Sequence, residues 1–256
     1  KARVQLKNAH LLLNFQSADQ GISPTRFQAN TFPAHFRDKI SVIHDGIDTR
    51  TLKPNPNVNF TLENGDVLTR ENEVITFVSR ALEPYRGFHI FMRILPHLLR
   101  QKEDLKILIV GDEGVSYGSS PPEGYSWKRL FVEEIRPLLN EQQYRRILFL
   151  GKLPYESYRQ LLCVSTVHVY LTYPFVLSWS LLEAMSSSCA IVASRTPPVE
   201  EVISCGETGV LVDFFDHESF SDRVLELLAD PNRRSLLGLN AREYVKENYD
   251  LKMKCL

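Results

Sequence analysis

Val74-Ile75-Thr76-Phe77-Val78-Ser79-Arg80-Ala81-Leu82-Glu83-Pro84-Tyr85-Arg86-Gly87-Phe88 decides the fold of this chain. It opens on a β-branched and aromatic run, Val74–Val78, and after a turn enters the amphipathic stretch Phe88–Arg100. A short apolar run followed by a helical period is one strand-to-helix unit, and its repetition predicts βαβ units and a parallel sheet.

The unit does repeat. Further strands are expected at Leu105–Val110, Ile147–Leu150, Val167–Leu171, Ala190–Ala193 and Val210–Val212. Helices are expected at Trp127–Asn140, Tyr155–Cys163, Ser180–Ser187, Pro198–Ile203, His217–Ala229 and Pro231–Asn248. The fold class is therefore α/β, a doubly wound, Rossmann-like parallel sheet of about six strands.

The first seventy or so residues lack this rhythm. They start helix-like, open a second helix at Ser23-Pro24-Thr25, and pass through a strand-like Ile40-Ser41-Val42-Ile43. They read as the end of another domain. Lys53 to Asn59 is dense in Pro and Asn and reads as a loop, as does Gly111 to Ser126 with its Gly, Ser and Pro.

Composition narrows the function classes. The 256 residues carry 30 basic and 31 acidic side chains, which argues against a broad basic face for nucleic acid. Cys163, Cys189, Cys205 and Cys255 form no C-x-x-C pair, so neither a zinc site nor a disulfide framework is signalled, and a reducing, cytoplasmic setting is expected. No apolar run approaches the ~20 residues that span a bilayer, so membrane contact is not indicated. His35, His44, His89 and His97 show no spacing to a carboxylate that suggests a base or a metal, and they read as structural.

Two junctions carry chemistry. Arg80 and Arg86 flank a strand end and a helix start, where ligands of open parallel sheets bind; paired guanidiniums beside helix amides suit a diphosphate. Solvated loop arginines are the plain alternative; Arg234 is expected to be a surface arginine that does not matter to binding. The second junction is Tyr173-Pro174-Phe175-Val176-Leu177-Ser178-Trp179-Ser180-Leu181-Leu182-Glu183-Ala184-Met185. Ser180 and Glu183 have capping-box spacing, which favours a cap; a carboxylate in the first turn could instead accept hydrogen bonds from a ribose diol. Cys205-Gly206-Glu207-Thr208-Gly209 reads as a tight turn feeding a strand.

In order, these pieces resemble the carboxyl-terminal domain of the group 1 glycosyltransferases, which are built from two facing Rossmann-like domains. Asp45-Gly46-Ile47-Asp48 resembles the family's N-G-V-D turn, and Ser79-Arg80 through Arg86-Gly87 its S/G-R-x5-K-G phosphate clamp. Leu182-Glu183-Ala184-Met185 resembles its L-E-A-M helix, and Gly206-Glu207-Thr208-Gly209 with Leu211-Val212 its N-G-x-x-G-L-L-V stretch. Ala18 to Thr25 is similar to the end of the family's amino-terminal domain.

The resemblance implies a retaining, metal-independent transferase that moves a sugar from a nucleoside-diphosphate sugar, with no other cofactor. Arg80 and Arg86 would bind the donor diphosphate and stabilise the leaving group, with Arg86 standing where the family more often has Lys. Glu183 matches the second glutamate of the family's E-x7-E pair and would hold the ribose. Phe175 stands where the first glutamate is expected, a departure that implies altered donor recognition, a sugar contacted by an apolar face, or reduced activity. Phe175, Val176, Leu177 and Ser178 would line the donor, and the backbone around Lys152 and Leu153 would meet the base. Residues 1–45 would be the end of the acceptor domain and the crossover, and 46–256 the donor domain. With most of the acceptor domain outside the chain, this part alone is expected to be inactive or weakly active. A phosphorylase or sugar-nucleotide epimerase of the same fold, or a catalytically silent binding module, are the alternatives.

Overall fold

Val74–Ala81 forms β1 near the centre of a six-stranded, wholly parallel sheet in a computed structural model that describes residues 2–254. The other strands are β2 (Lys106–Asp112), β3 (Ile147–Gly151), β4 (Val167–Tyr170), β5 (Ile191–Ser194) and β6 (Val210–Val212). Their spatial order is 3-2-1-4-5-6, the order of doubly wound nucleotide-binding folds.

Both faces of the sheet are covered, which is why its strands read as apolar runs rather than as an alternation. Ile75 and Phe77 of β1, Ile107 and Ile109 of β2, and Val167 and Val169 of β4 share one apolar cluster with α1 (Phe88–Gln101), α2 (Trp127–Ile135) and α5 (His217–Ala229). Val74, Leu108, Val110, Tyr170 and Ile191 join the opposite cluster, against α3 (Tyr155–Val164), α4 (Trp179–Ser186) and α6 (Pro231–Tyr249). In α1, Phe91 stacks on Phe77 at 4.7 Å, fixing the helix to the central strand.

Three elements differ from expectation, each for a local reason. β1 runs three residues further than Val78, because it carries a bulge: Ser79 and Arg80 lie between the pairs Val78↔Val110 and Ala81↔Asp112, opposite the single residue Gly111. The helix expected over Trp127–Asn140 stops at Ile135 and tightens into a 3-10 turn at Arg136–Leu138, since Pro137 has no N–H to continue the ladder. Asn140 then caps a separate short helix, Glu141–Tyr144. The segment expected at Pro198–Ile203 is a single helical turn, Pro197–Glu200.

The amino-terminal residues form their own small structure. A helix, Ala2–Ser17, precedes two short parallel strands, Gly21–Ser23 and Ile40–Val42, that pair only with each other. Between them Thr25 caps the helix Arg26–Asn30, its hydroxyl accepting from the Gln28 amide at 3.1 Å. The Glu201 carboxylate reaches across from the sheet domain to accept from the Arg26 and Phe27 amides at 2.8 and 2.5 Å. A small hairpin, Phe60–Thr61 with Val67–Leu68, follows the irregular stretch at residues 53–59 and has no counterpart in the sequence reading. Cys163, Cys189 and Cys205 are free thiols; Cys255 lies outside the described residues. No described helix is long and apolar enough to cross a membrane.

Candidate functional site

Strand order reverses between β1 and β4, so their carboxyl ends diverge into separate loops and open a crevice at the topological switch point. The loop after β1 brings Arg80, Glu83 and Arg86 to that crevice, and the loop after β4 brings Phe175 to Ser178. The two arginine-bearing and carboxylate-bearing junctions of the sequence thus meet at one place.

The β1 bulge re-aims the chain at Arg80, whose side chain is exposed, with its guanidinium carbon 6.0 Å from the centre of the Tyr117 ring. Among the described residues Arg80 makes no ion pair. Arg86 is the reverse, only 6% exposed. Its Nη1 donates to the Val176 carbonyl at 2.9 Å, to Thr172 Oγ1 at 3.0 Å and, more loosely, to the Tyr170 hydroxyl at 3.4 Å. Those partners belong to β4 and its loop, so Arg86 ties the two sides of the switch point together. The rings of Tyr117 and Phe175 flank the guanidinium at 5.3 and 5.5 Å. No carboxylate among the described residues pairs with it. The site therefore holds one buried and one exposed positive charge, neither in an ion pair among the described residues.

Gly87 makes this junction possible. Its φ is +68°, and a Cβ there would fall 2.2 Å from the Leu171 Cβ at the end of β4. Only glycine adopts that backbone and lets α1 start so close to the neighbouring strand.

Glu83, fully buried, organises the opposite wall. Its carboxylate accepts from the amides of Ser116, Tyr117 and Gly118 at 3.0 to 3.2 Å, a set of donors that compensates the charge. This pins the middle of the long loop 111–126 and sets Tyr117 above the arginines. Sequence reasoning singled out neither residue: a glutamate after a strand and a tyrosine in a loop carry no periodic signal.

In the β4 loop, Phe175 packs edge-on against Tyr117 at 4.8 Å and Tyr85 at 5.8 Å. Val176 presents its carbonyl to Arg86, and the Leu177 side chain turns into the core at 4% exposure, leaving only its backbone to the crevice. Ser178 caps α4, its hydroxyl accepting from the Ser180 amide at 3.4 Å while its own amide donates to the Tyr170 hydroxyl at 2.9 Å. Trp179, an exposed residue overlooked in the sequence, donates from Nε1 to Asp45 at 3.0 Å and links the helix start to the segment ahead of the sheet.

The cap at Ser178 removes the capping reading of Glu183. Ser180 lies inside the helix, so the Ser180–Glu183 capping box does not form. Glu183 Oε2 instead accepts from the Tyr158 hydroxyl of α3 at 2.7 Å. Burial pushes the carboxyl pKa up, with the Tyr158 hydrogen bond acting the other way. Tyr158, buried against this carboxylate, is itself held well above the ordinary phenol range, so it stays the donor. Among the described residues nothing donates to Oε1.

Lys152, after β3, is largely exposed and pairs with Asp112 at 2.5 Å, which lowers the Asp112 pKa through that hydrogen bond. Leu153 is half-buried against the core. Arg234, expected to be a surface arginine, is half-buried and donates to the Leu227 and Leu228 carbonyls at 2.6 and 2.7 Å, closing the end of α5. His44 accepts from the Gly46 amide at 3.0 Å, and His89 lies between Phe131 and Phe214. Residues 205–209 close the expected tight turn, the Gly206 amide donating to Gly209 at 2.7 Å. Among the described residues no group of three or more His, Cys, Asp or Glu side chains is placed to hold a metal ion.

Comparison with known proteins agrees with this geometry. Residues 60–244 match the model of glycosyl transferases group 1, and residues 1–52 match that of glycosyl transferase family 4 group. The D-inositol 3-phosphate glycosyltransferase of Corynebacterium efficiens is 27% identical over 212 residues, covering 82% of this chain and 47% of that protein. The alpha-maltose-1-phosphate synthase of Mycolicibacterium smegmatis is 28% identical over 231 residues, 86% of this chain and 55% of that protein. The chain spans about half the length of the curated relatives it matches. Among solved structures, sucrose-phosphate synthase of Thermosynechococcus elongatus superposes with a TM-score of 0.72 at 20% identity, covering 92% of this chain and 55% of that one. Anabaena HepE in complex with UDP-glucose gives 0.71 at 18% identity, over 92% of this chain and 61% of that one. At these identities the structural likeness speaks for the fold. With the family model covering most of the sheet domain and the arginine and glutamate junctions meeting at its switch point, the chain belongs to the group 1 glycosyl transferases.

Proposed function

We propose that this chain is the donor-binding part of a retaining, metal-independent glycosyltransferase that takes a sugar from a nucleoside-diphosphate sugar. The observation that carries the reading is the pair Arg80 and Arg86 at the switch point, two guanidiniums without a carboxylate partner among the described residues. A buried cation lacking a counter-ion is costly unless an anion completes the site. The diphosphate of a donor is such an anion. As the glycosidic bond to it breaks, negative charge grows on the phosphate oxygens, and fixed positive groups stabilise that state more than the ground state. Arg86 and the amide end of α4 supply the fixed part, and Arg80, free to swing, the adjustable part. They do the work that a divalent cation does elsewhere. Glu183 then holds the ribose through Oε1, its Oε2 being fixed by Tyr158.

The match of residues 1–52 to a glycosyltransferase model supports reading residues 1–45 as the end of an acceptor-binding domain and the crossover. Transfer then belongs to the longer protein, in which the acceptor is brought to the donor. The complexes of Anabaena HepE with UDP and UDP-glucose support a nucleotide sugar as the class of donor. The free thiols of Cys163, Cys189 and Cys205 fit a cytoplasmic protein.

Calorimetry of this chain with UDP, GDP, ADP and dTDP tests the reading. Tight binding of at least one is expected, and no heat with any of them sinks it. Arg80→Ala should weaken that binding roughly ten- to hundredfold, the loss of one charged hydrogen bond at about 1.5–3 kcal/mol. Arg100→Ala, exposed at the far end of α1, should leave it unchanged.

A further inference from the structure

At the amino ends of the strands, on the opposite edge of the sheet from the crevice, a small cavity of about 220 Å³ opens between the residues leading into β4, those leading into β5, and the first turn of α6. Arg70 and Arg234 line it with the hydroxyl side chains of Ser165, Ser188 and Ser235, and no carboxylate among the described residues does. Arg70, exposed ahead of β1, has no hydrogen-bond or ion-pair partner among the described residues. Arg234 engages only Nη1, with the Leu227 and Leu228 carbonyls, and leaves Nε and Nη2 unpartnered among the described residues. Burial withdraws water from its guanidinium and lowers its pKa. The carboxylates that act on it are engaged elsewhere: Glu73 pairs with Lys102 at 2.9 Å, and Asp230 accepts from the Arg233 amide at 2.9 Å.

Ser188 adds an independent signal. It follows α4 with a φ of +60°, the one non-glycine residue in the left-handed region among the described residues. Glycine takes that conformation freely, whereas a side chain there is strained, and such strain gathers at binding sites. The Ser188 Oγ is also buried without a hydrogen-bond partner among the described residues, a cost that a ligand's oxygen would relieve. Gly238 of α6 packs so close that a Cβ on it would collide with the Ser188 carbonyl, so the backbone is held and only the hydroxyl is free to turn. No existing hydrogen bond opposes that turn. Ser165 is held beside it, its Oγ 2.7 Å from Thr76 Oγ1.

Two guanidiniums with free N–H groups, neighbouring hydroxyls and no lining carboxylate suit a tetrahedral oxyanion, which accepts several hydrogen bonds at once. The cavity is smaller than the roughly 300–1,000 Å³ that encloses a drug-sized ligand, which matches a small anion. We propose that Arg70, Arg234 and Ser188 form a second anion site, on the opposite edge of the sheet from the donor crevice, that takes phosphate, free or as the head of a phosphomonoester. It does not rest on the donor reading, and either can fail without the other.

Calorimetry with inorganic phosphate and with glucose 6-phosphate, against chloride of matched ionic strength, tests the site. Heat is expected in the parent and in Arg80→Ala alike. Arg70→Ala, which removes an exposed side chain without partners, should weaken binding about tenfold, the loss of one charged hydrogen bond. Ser188→Gly should weaken it about fivefold, the loss of one neutral hydrogen bond. Glycine suits the left-handed backbone, so without ligand Ser188→Gly should melt no lower than the parent, which separates lost binding from a lost fold. Tighter binding of glucose 6-phosphate assigns the site to a phosphomonoester, and tighter binding of phosphate to the free ion. No heat with either, or heat that Arg70→Ala and Ser188→Gly leave unchanged, overturns the proposal. Heat abolished by Arg80→Ala would put the anion in the crevice and overturn it as well.

Discussion

Glu183 commits one carboxylate oxygen to Tyr158 and leaves the other without a donor among the described residues, so in the proposed ribose-binding role its protonation state matters to binding. Burial raises its pKa, and a protonated carboxyl accepts poorly from a ribose diol. Nucleoside diphosphate affinity should therefore fall as pH is lowered, beginning above the usual carboxylate range, and Glu183→Gln should bind weakly with that pH dependence removed. A calorimetric titration at several pH values checks this, and an unchanged slope in the Gln variant would refute the role. The same shift acts on folding. The folded-state pKa lies above the unfolded value of 4.5, so the stabilising contribution is present below 4.5 and is lost as pH rises through the folded value. In the ligand-free chain Glu183→Gln should thus be neutral or stabilising near pH 7. That combination, weaker binding with undiminished stability, marks a functional rather than a structural carboxylate.

At the scale of elements, the strand-to-helix junction of β1 and α1 is the part on which the site hangs. The bulge at Ser79 and Arg80 turns one arginine outward, the 3-10 turn Pro84–Arg86 turns the other inward, and Gly87 in the left-handed region starts α1. Gly87→Ala would place a Cβ against the Leu171 Cβ, a backbone-proximal atom that cannot swing away. With the left-handed φ added, it should cost at least about 2 kcal/mol in urea unfolding. It should also lower nucleotide affinity by displacing Arg86. A loss under about 0.5 kcal/mol would mean the junction is far more plastic than its contacts indicate. The α4 start shows the opposite case, in which a local pattern misleads. Ser180 and Glu183 have the spacing of a cap, yet Ser178 takes the capping position and frees Glu183 for the crevice.

At the scale of the whole molecule, the sheet buries a histidine at its centre. His168 of β4 is fully buried, with Nδ1 2.8 Å from Thr76 Oγ1 of β1 and Nε2 without a partner among the described residues. Burial alone lowers its pKa from 6.5 to about 4. His89 is also lowered to about 4, by burial and then by Arg93. In the window between 4 and 6.5 the unfolded chain binds more protons than the native one, so stability rises with pH there. His168 should contribute about 3 kcal/mol of loss by pH 4. His168→Val should lessen that pH dependence in urea unfolding; an unaltered dependence would show His168 already charged or hydrated in the native state.

How much of this was legible beforehand follows from the range of the interactions. The sequence alone determined the six strands of the main sheet, most helices, the parallel class of that sheet, and the placing of Arg80, Arg86 and Glu183 at strand-to-helix junctions. All of these are local: an apolar run, a helical period and a turn are written within ten or fifteen neighbouring residues. The tertiary structure alone decided that the β1 and β4 junctions face each other, that Arg86 is sealed against a carbonyl 90 residues away, and that Tyr158, 25 residues before Glu183, donates to its carboxylate. It alone decided that Glu83 sets Tyr117, 34 residues on, above the arginines. Those pairings depend on strand order, which no local period encodes, and so the chemistry of the crevice becomes visible only once the sheet is assembled.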